Sequence, residues 1–95
     1  MTKSDLIHRL YLNSNLTQED IGAAVNLILE KMTEQLANGG RIEIRGFGAF
    51  SLNHHKARTG RNPKTGDTIM IPEKYTTHFK PGKSLRERVN DSRPT

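Results

Sequence analysis

The stretch ARTGRNPKTGDTI, from Ala57 to Ile69, contains almost nothing that could join a hydrophobic core. Its basic side chains and the preceding Lys56 outnumber its single acid, Asp67. On both sides of it, apolar residues alternate with polar ones, which is typical of strands. The stretch therefore predicts a β-ribbon arm over about residues 53–75. We expect Asn62–Gly66 at its tip, because proline and glycine suit a turn there.

Two helices are predicted before the arm, over about residues 3–13 and 17–38. Each begins with the spacing of a capping box, in TKSD from Thr2 and in TQED from Thr17. The second carries an apolar stripe at helical spacing, which predicts a buried face. The stripe consists of Ile21, Ala24, Val25, Ile28, Leu29, Met32 and Leu36. NGG, from Asn38 to Gly40, ends this helix.

The hydrophobic period then changes from helical to alternating. RIEIR, from Arg41 to Arg45, predicts a strand, and GFG, from Gly46 to Gly48, predicts a turn. Pro72 favours an edge position or a bulge. PGKSLRERV, from Pro81, predicts a short basic helix over about residues 82–90, with a frayed tail from Asn90. The whole pattern predicts an α+β fold in a single domain, residues 1–95.

Charge is unevenly distributed along the 95 residues. Residues 1–40 hold three basic and five acidic side chains, whereas residues 41–95 hold twelve basic and five acidic ones. This asymmetry favours a polyanion as partner of the second half, although a solvated basic surface is the alternative. A chain this short has a small core and no cysteine to cross-link it, so we expect an oligomer. Without a signal peptide or a membrane-length apolar run, we expect a cytoplasmic protein.

Three motifs together resemble the HU/IHF family of bacterial histone-like DNA-bending proteins. They are GFGAF, ARTGRNPKTGD and HFKPGKSLRERV, and the resemblance covers nearly the whole chain. RIEIRGFGAFSL and PGKSLRERV are similar to the integration host factor branch. The resemblance implies an intertwined dimer with a helical base, a three-stranded sheet saddle and β-ribbon arms around double-stranded DNA. It implies a homologous alpha subunit as partner, with a homodimer as the open alternative.

The resemblance also implies which residues contact DNA. In the arm these are Lys56, Arg58, Arg61, Asn62, Pro63 and Lys64. Basic arm residues neutralise phosphates or enter the minor groove. Pro63 is expected to intercalate as a wedge in a base step, while a plain turn-forming role is the alternative and both can hold together.

Two further sets of DNA-binding residues are expected, the first from the resemblance and the second from the chemistry of helix starts. Arg45 is expected to enter the minor groove, with Glu43 on the same strand face holding its guanidinium; an exposed charge pair of little consequence is the alternative. Lys3 and Ser4 begin the first helix, and Lys83 and Ser84 begin the last. Both helix starts suit phosphate binding, with plain capping as the alternative.

No catalytic constellation is visible, and we expect neither an enzyme nor a cofactor. His54 and His55 are adjacent and would point to opposite faces of a strand, which makes a metal site improbable. Architectural bending of DNA in the nucleoid is the leading interpretation, with the family's roles in recombination, replication, transcription and translation control. An HU-like nonspecific compacting homodimer, a ribosomal-type RNA-binding protein and a protein-binding scaffold are the alternatives.

Overall fold

A computed structural model describes residues 1–92. The helices are α1 (Lys3–Leu12), α2 (Gln18–Ala37) and α3 (Lys83–Ser92), and the strands are β1 (Ile42–Ile44), β2 (Gly48–His55), β3 (Arg58–Arg61), β4 (Thr68–Ile71) and β5 (Lys74–Pro81). The chain divides into two units, Met1–Gln35 and Leu36–Thr95, which are described in turn.

The first unit begins with a reciprocal capping box at the start of α1. The amide of Asp5 donates to Thr2 Oγ1 at 3.2 Å, and the amide of Thr2 donates to Asp5 Oδ2 at 2.9 Å. The box predicted from TKSD is therefore confirmed. At the start of α2, the amide of Asp20 donates to Thr17 Oγ1 at 3.1 Å, which satisfies one of the free N–H groups of that helix.

The apolar stripe of α2 is only partly buried within one chain. Ile21 and Val25 are 5% and 6% exposed and are the only buried hydrophobic residues in the described part of the chain. Farther along the same stripe, Ile28 and Leu29 are 58% and 43% exposed. The helix thus leaves large apolar side chains in contact with solvent, which is unusual for a stable monomer.

In the second unit, β1, β2 and β5 form an antiparallel sheet in the order β1-β2-β5. One face packs aromatic rings, with centroids 4.7 Å apart for Phe50 and Phe79 and 5.4 Å apart for Phe47 and Phe79. Gly48 lies under this cluster, and a Cβ there would be 2.6 Å from the Lys80 carbonyl oxygen. No side chain fits at this position without a shift of the backbone.

Helix α3 is attached to the turn before β2. The amide of Gly82 donates to the carbonyl of Phe47 at 2.8 Å, and the carbonyl of Gly82 accepts from the amide of Arg86 at 3.0 Å. The helix extends through Ser92, two residues past the expected end at 90. The last three residues of the expected frayed tail lie outside the described residues.

The arm consists of β3 and β4, paired antiparallel with Arg58 opposite Ile71 and Arg61 opposite Thr68. The pair of β2 and β5 ends at His55 opposite Lys74. Both ladders keep one register across the gap, so the arm continues the two long strands of the sheet. The interruption coincides with Pro72, which has no N–H to donate to a ladder.

Candidate nucleic-acid interface

The tip of the arm is a turn organised by Asn62. Its side-chain Oδ1 accepts from the amide of Lys64 at 2.9 Å, and its carbonyl accepts from the amide of Gly66 at 2.7 Å. Gly66 has a φ of +74°, which favours glycine. Pro63 stands exposed at the start of this turn. The expected tip, Asn62–Gly66, is where the chain reverses, and its most prominent apolar group is the proline ring.

The two strands of the arm display different chemistry on their two faces. Side chains opposite each other in an antiparallel pair share a face, so Arg58 lies with Ile69 and Ile71, and Arg61 lies with Met70. Met70 is 72% exposed. Each face thus carries one arginine beside apolar side chains, a combination that can bind phosphate and also contact sugar edges in a groove.

At the root of the arm, an open hollow of about 600 Å³ lies between the sheet and the ribbon. Three basic side chains, Lys56, Arg58 and Lys74, line it together with both histidines, and no carboxylate is among its lining residues. The root is therefore suited to an anion.

The sheet has one face that is polar, which we call the polar face. By strand alternation and register it comprises Glu43, Ala49, Ser51, Asn53, His55, Lys74, Thr76, His78 and Lys80. Its acid, Glu43, lies on the edge strand β1, and its two lysines lie on β5. This face is a second cationic surface beside the arm.

Glu43 lies in β1, and Arg45 lies in the turn that follows this strand. The Glu43 carboxylate pairs with Arg41, with 3.5 Å between Oε2 and Nη2. Both of these side chains are well exposed.

The structure brings Glu43 and Arg45 together with the start of α3. They line an open depression of about 310 Å³ with Lys80, Lys83 and Arg86, which we call the basic hollow. Four of these five side chains are cationic, and Gly82, just before α3, also lines the hollow. Ser84 occupies the first turn of α3 and is exposed.

The start of α1 belongs to the first unit. Ser4 is exposed in the first turn, and Lys3 Nζ donates to Asn26 Oδ1 of α2 at 2.8 Å. Thr2 already caps the helix, so part of its N-terminal hydrogen-bonding capacity is taken up inside the chain. Lys3 and Ser4 nevertheless keep a cation and a hydroxyl at the surface of this helix end.

Three cationic residues of this interface were not predicted from the sequence. Lys74 and Lys80 join the polar face through strand register, and Arg86 reaches the basic hollow one turn into α3. Period-two spacing from His78 could have placed the lysines on one face. Arg86 would have required knowledge of how α3 meets the sheet.

The two adjacent histidines have separate partners. His54 Nε2 lies 3.1 Å from Glu73 Oε2, and the ring stacks on Tyr75 with centroids 4.7 Å apart. His55 Nε2 lies 3.0 Å from Thr76 Oγ1. Among residues 1–92, no group of three His, Asp or Glu side chains is placed to hold a metal ion. No helix in this range is long and apolar enough to span a membrane.

Comparison with known proteins assigns the class. Residues 1–90 match the family described as bacterial DNA-binding protein. In structure, the chain is similar to a HU protein of Anabaena crystallised with DNA, with a TM-score of 0.82 and 34% identity over 94% of this chain and 97% of that one. It is also similar to HU from Thermotoga maritima, with a TM-score of 0.65 and 30% identity over 94% and 98% of the two chains. The chain belongs to the HU/IHF family of bacterial DNA-binding proteins.

Within the family, the chain is similar to integration host factor subunit beta. It is 60% identical to that subunit of Halorhodospira halophila over 98% of this chain and 92% of the relative. It is 57% identical to that of Marinobacter nauticus over 97% and 95%. The expected α+β fold of HU/IHF type is confirmed, and the family consists of DNA-binding proteins, not enzymes.

Proposed function

We propose that the chain is one subunit of an architectural protein that binds the minor groove of duplex DNA and bends it. The observation that carries the proposal is the arm: a cationic two-stranded ribbon that ends in an exposed Pro63. An isolated ribbon of this size is marginal in water. Such a ribbon gains order when it packs against a partner, and its charges select a polyanion.

Pro63 is proposed to act at the bend. Apolar wedges between base steps kink a duplex by partly unstacking it, and proline is among the side chains used in this way. The ring sits between Arg61 and Lys64, whose charges can hold the adjoining phosphates. With Lys56, Arg58 and Asn62, these residues form the proposed arm contact.

The basic hollow is proposed to fix the DNA flank beside the arm. Lys83 and Ser84 would bind one phosphate at the start of α3, and Lys3 and Ser4 would bind another at the start of α1. Arg45 is proposed to enter the minor groove, where arginine responds to groove width. Glu43 contributes to preference among sequences, because a carboxylate adds no attraction to phosphate.

The partner is proposed to be a homologous alpha subunit. One chain leaves Leu27, Ile28, Leu29 and Phe47 exposed, which a second subunit of the same fold would cover. The close relatives are beta subunits, and the word subunit in their names supports pairing with a different chain. A homodimer of HU type is the alternative, favoured by the structural likeness to HU.

DNA bending brings distant sites together. We accordingly propose a place in the nucleoid and roles in recombination, replication and the control of transcription and translation, as is typical of this family.

Native mass spectrometry together with energy transfer between duplex ends tests the proposal. The purified chain is measured alone, with an alpha subunit from the same cell, and with a duplex of about 30 base pairs labelled at both ends. We expect a heterodimer that binds one duplex and shortens the distance between its ends. A monomer that leaves this distance unchanged, even with the alpha subunit present, would refute the proposal. A bending homodimer would select the HU-type alternative.

A further inference from the structure

The polar face carries two histidines whose role is not explained by the arm or the basic hollow. His55 lies on β2 and His78 on β5, and both are exposed. They are separated on this face by the uncharged Asn53 and Thr76. Both ends of β5 add a lysine to the same face, Lys74 at one end and Lys80 near the other.

A hydroxyl and three cationic side chains lie around His55. Its Nε2 lies 3.0 Å from Thr76 Oγ1. Lys74 lies directly opposite it in the ladder, and Lys56 and Arg58 line the same hollow at the root of the arm. No carboxylate lines this hollow. Glu73, the acid next to Lys74 in sequence, is paired with His54 and not with His55.

His78 has a similar environment. Ser51 lies opposite it in the ladder, and Thr76 and Lys80 are its neighbours along β5 on the same face. The acid of the polar face is Glu43 on β1, which lies across β2 from Lys80 and whose carboxylate pairs with Arg41. A phosphate arriving at this face would therefore be the nearest uncommitted anion for both imidazoles.

Imidazole is the side chain whose charge ordinarily changes between pH 5 and 8. Neighbouring cations disfavour its charged form, and an anion within a few ångströms favours it. A histidine among lysines consequently gains a proton more readily when phosphate occupies the site. Each proton gained in this way couples DNA binding to pH, since linkage is reciprocal.

We propose that His55 and His78 are proton-dependent phosphate contacts, so that DNA binding by this chain takes up protons and strengthens as pH falls. The inference rests on the proposed function and concerns the protonation of two side chains on the polar face. The pH then regulates the affinity for duplex DNA, in addition to the contribution of the permanently charged arm residues.

His54 supplies a matched control. It is adjacent to His55 in sequence and also lines the hollow, but by strand alternation it belongs to the opposite face of β2. Its imidazole is already beside a carboxylate, with 3.1 Å between Nε2 and Glu73 Oε2, and it stacks on Tyr75. Its charged form therefore has a partner without DNA, and its replacement should leave the proton uptake on DNA binding unchanged.

The test compares the assembled protein with its H55Q, H78Q and H54Q variants and with the H55Q/H78Q double variant. Glutamine keeps a polar side chain that can still bond to Thr76. Affinity for one fixed duplex is measured over a salt series at about pH 8 and about pH 6, which span the histidine range. Calorimetry in two buffers of different ionisation heat counts the protons taken up.

For the parent, we expect proton uptake and a salt slope that steepens at the lower pH by about 0.9 for each histidine that engages a phosphate. Each of H55Q and H78Q should remove part of this steepening, the double variant should remove it all, and H54Q should retain it. H55K, which fixes a positive charge at one of the two positions, should recover at the higher pH part of the affinity that the parent gains at the lower pH.

Equal salt slopes at both pH values, or equal loss of proton uptake in H54Q and H55Q, would overturn the inference while leaving the proposed function standing. A parent protein that binds no duplex at either pH would instead overturn the proposed function, and the inference with it.

Discussion

The Glu43 carboxylate lies 3.5 Å from the guanidinium of Arg41, so it is paired with the arginine two residues before it. Arg45, two residues after Glu43, lies in the turn beyond β1 and lines the basic hollow. An exposed ion pair is worth less than about 1 kcal/mol. Glu43 can therefore exchange partners at little cost when DNA orders one of the two arginines.

Arg45→Ala should weaken binding to a preferred site more than binding to random DNA. A well-placed base-edge contact contributes about 1–3 kcal/mol of discrimination, and its removal affects the specific complex. Titration of both duplexes at one salt concentration measures the difference. Equal losses on the two duplexes would show that Arg45 is an ordinary surface charge.

Glu43→Ala should relax sequence preference and leave binding to random DNA nearly intact. A double-mutant cycle on the preferred site then identifies the partner of Glu43. Coupling of Glu43 with Arg45 is expected if the carboxylate changes partner on DNA. Coupling with Arg41 alone would mean that the pair seen in the structure persists in the complex and that Glu43 does not position Arg45.

Local features were predictable from the sequence, and features that depend on register were not. The Thr2 capping box and the turn of the arm involve residues within five positions of one another, so short-range chemistry specifies them. Lys74 and Lys80 join His55 and His78 on one face only once β2 and β5 are paired. The partner of Glu43 was not predictable, because arginines stand two residues away on both sides at equal spacing.

The partly exposed stripe of α2 illustrates the other limit. Its spacing predicts a helix with an apolar face, and α2 is that helix. Spacing does not say whether the face is covered by the same chain or by a partner. In the structure Ile21 is buried while Ile28 remains exposed, so the second half of the stripe is available for packing against another subunit.

Gly48→Ala should destabilise the fold by about 1–3 kcal/mol, the usual range for an overpacked site. The added Cβ would lie 2.6 Å from the Lys80 carbonyl oxygen and 2.7 Å from the Phe79 ring. Thermal unfolding of the assembled protein measures the change. Gly22→Ala is the control, because only Ile7 Cδ1 lies near its Cβ, at 3.9 Å, and alanine favours a helix interior by about 0.5–1 kcal/mol. An unchanged midpoint for Gly48→Ala would mean that the start of β2 shifts away from β5 without cost.

Salt should weaken DNA binding steeply. If the arm, the polar face and the helix starts together neutralise about 6–10 phosphates, affinity should fall about 10³–10⁵-fold between 50 and 200 mM salt. Replacing Arg58 and Arg61 by glutamine should reduce the salt slope by about 0.9 for each phosphate that the variant no longer neutralises. Filter binding or fluorescence anisotropy over a salt series gives these slopes. A flat response would contradict the electrostatic basis of the interface.

Pro63→Ala should reduce bending while leaving the arm in shape. The bonds from the amides of Lys64 and Gly66 to Asn62 hold the turn without the proline ring, and every arm charge remains.

Unstacking a base step costs a few kcal/mol, which the wedge and the wider wrapping offset together. The Pro63→Ala variant should accordingly lose affinity for an intact duplex and keep most of its affinity for a duplex that is already nicked or kinked. Energy transfer between duplex ends measures the bend, and titration of both duplexes measures affinity. Lys64→Gln is the matched control. It removes a charge beside an intact wedge, so it should weaken binding to both duplexes alike. Unchanged bending by Pro63→Ala would leave the proline as a turn former only, and equal losses on both duplexes would mean that the tip had lost its shape.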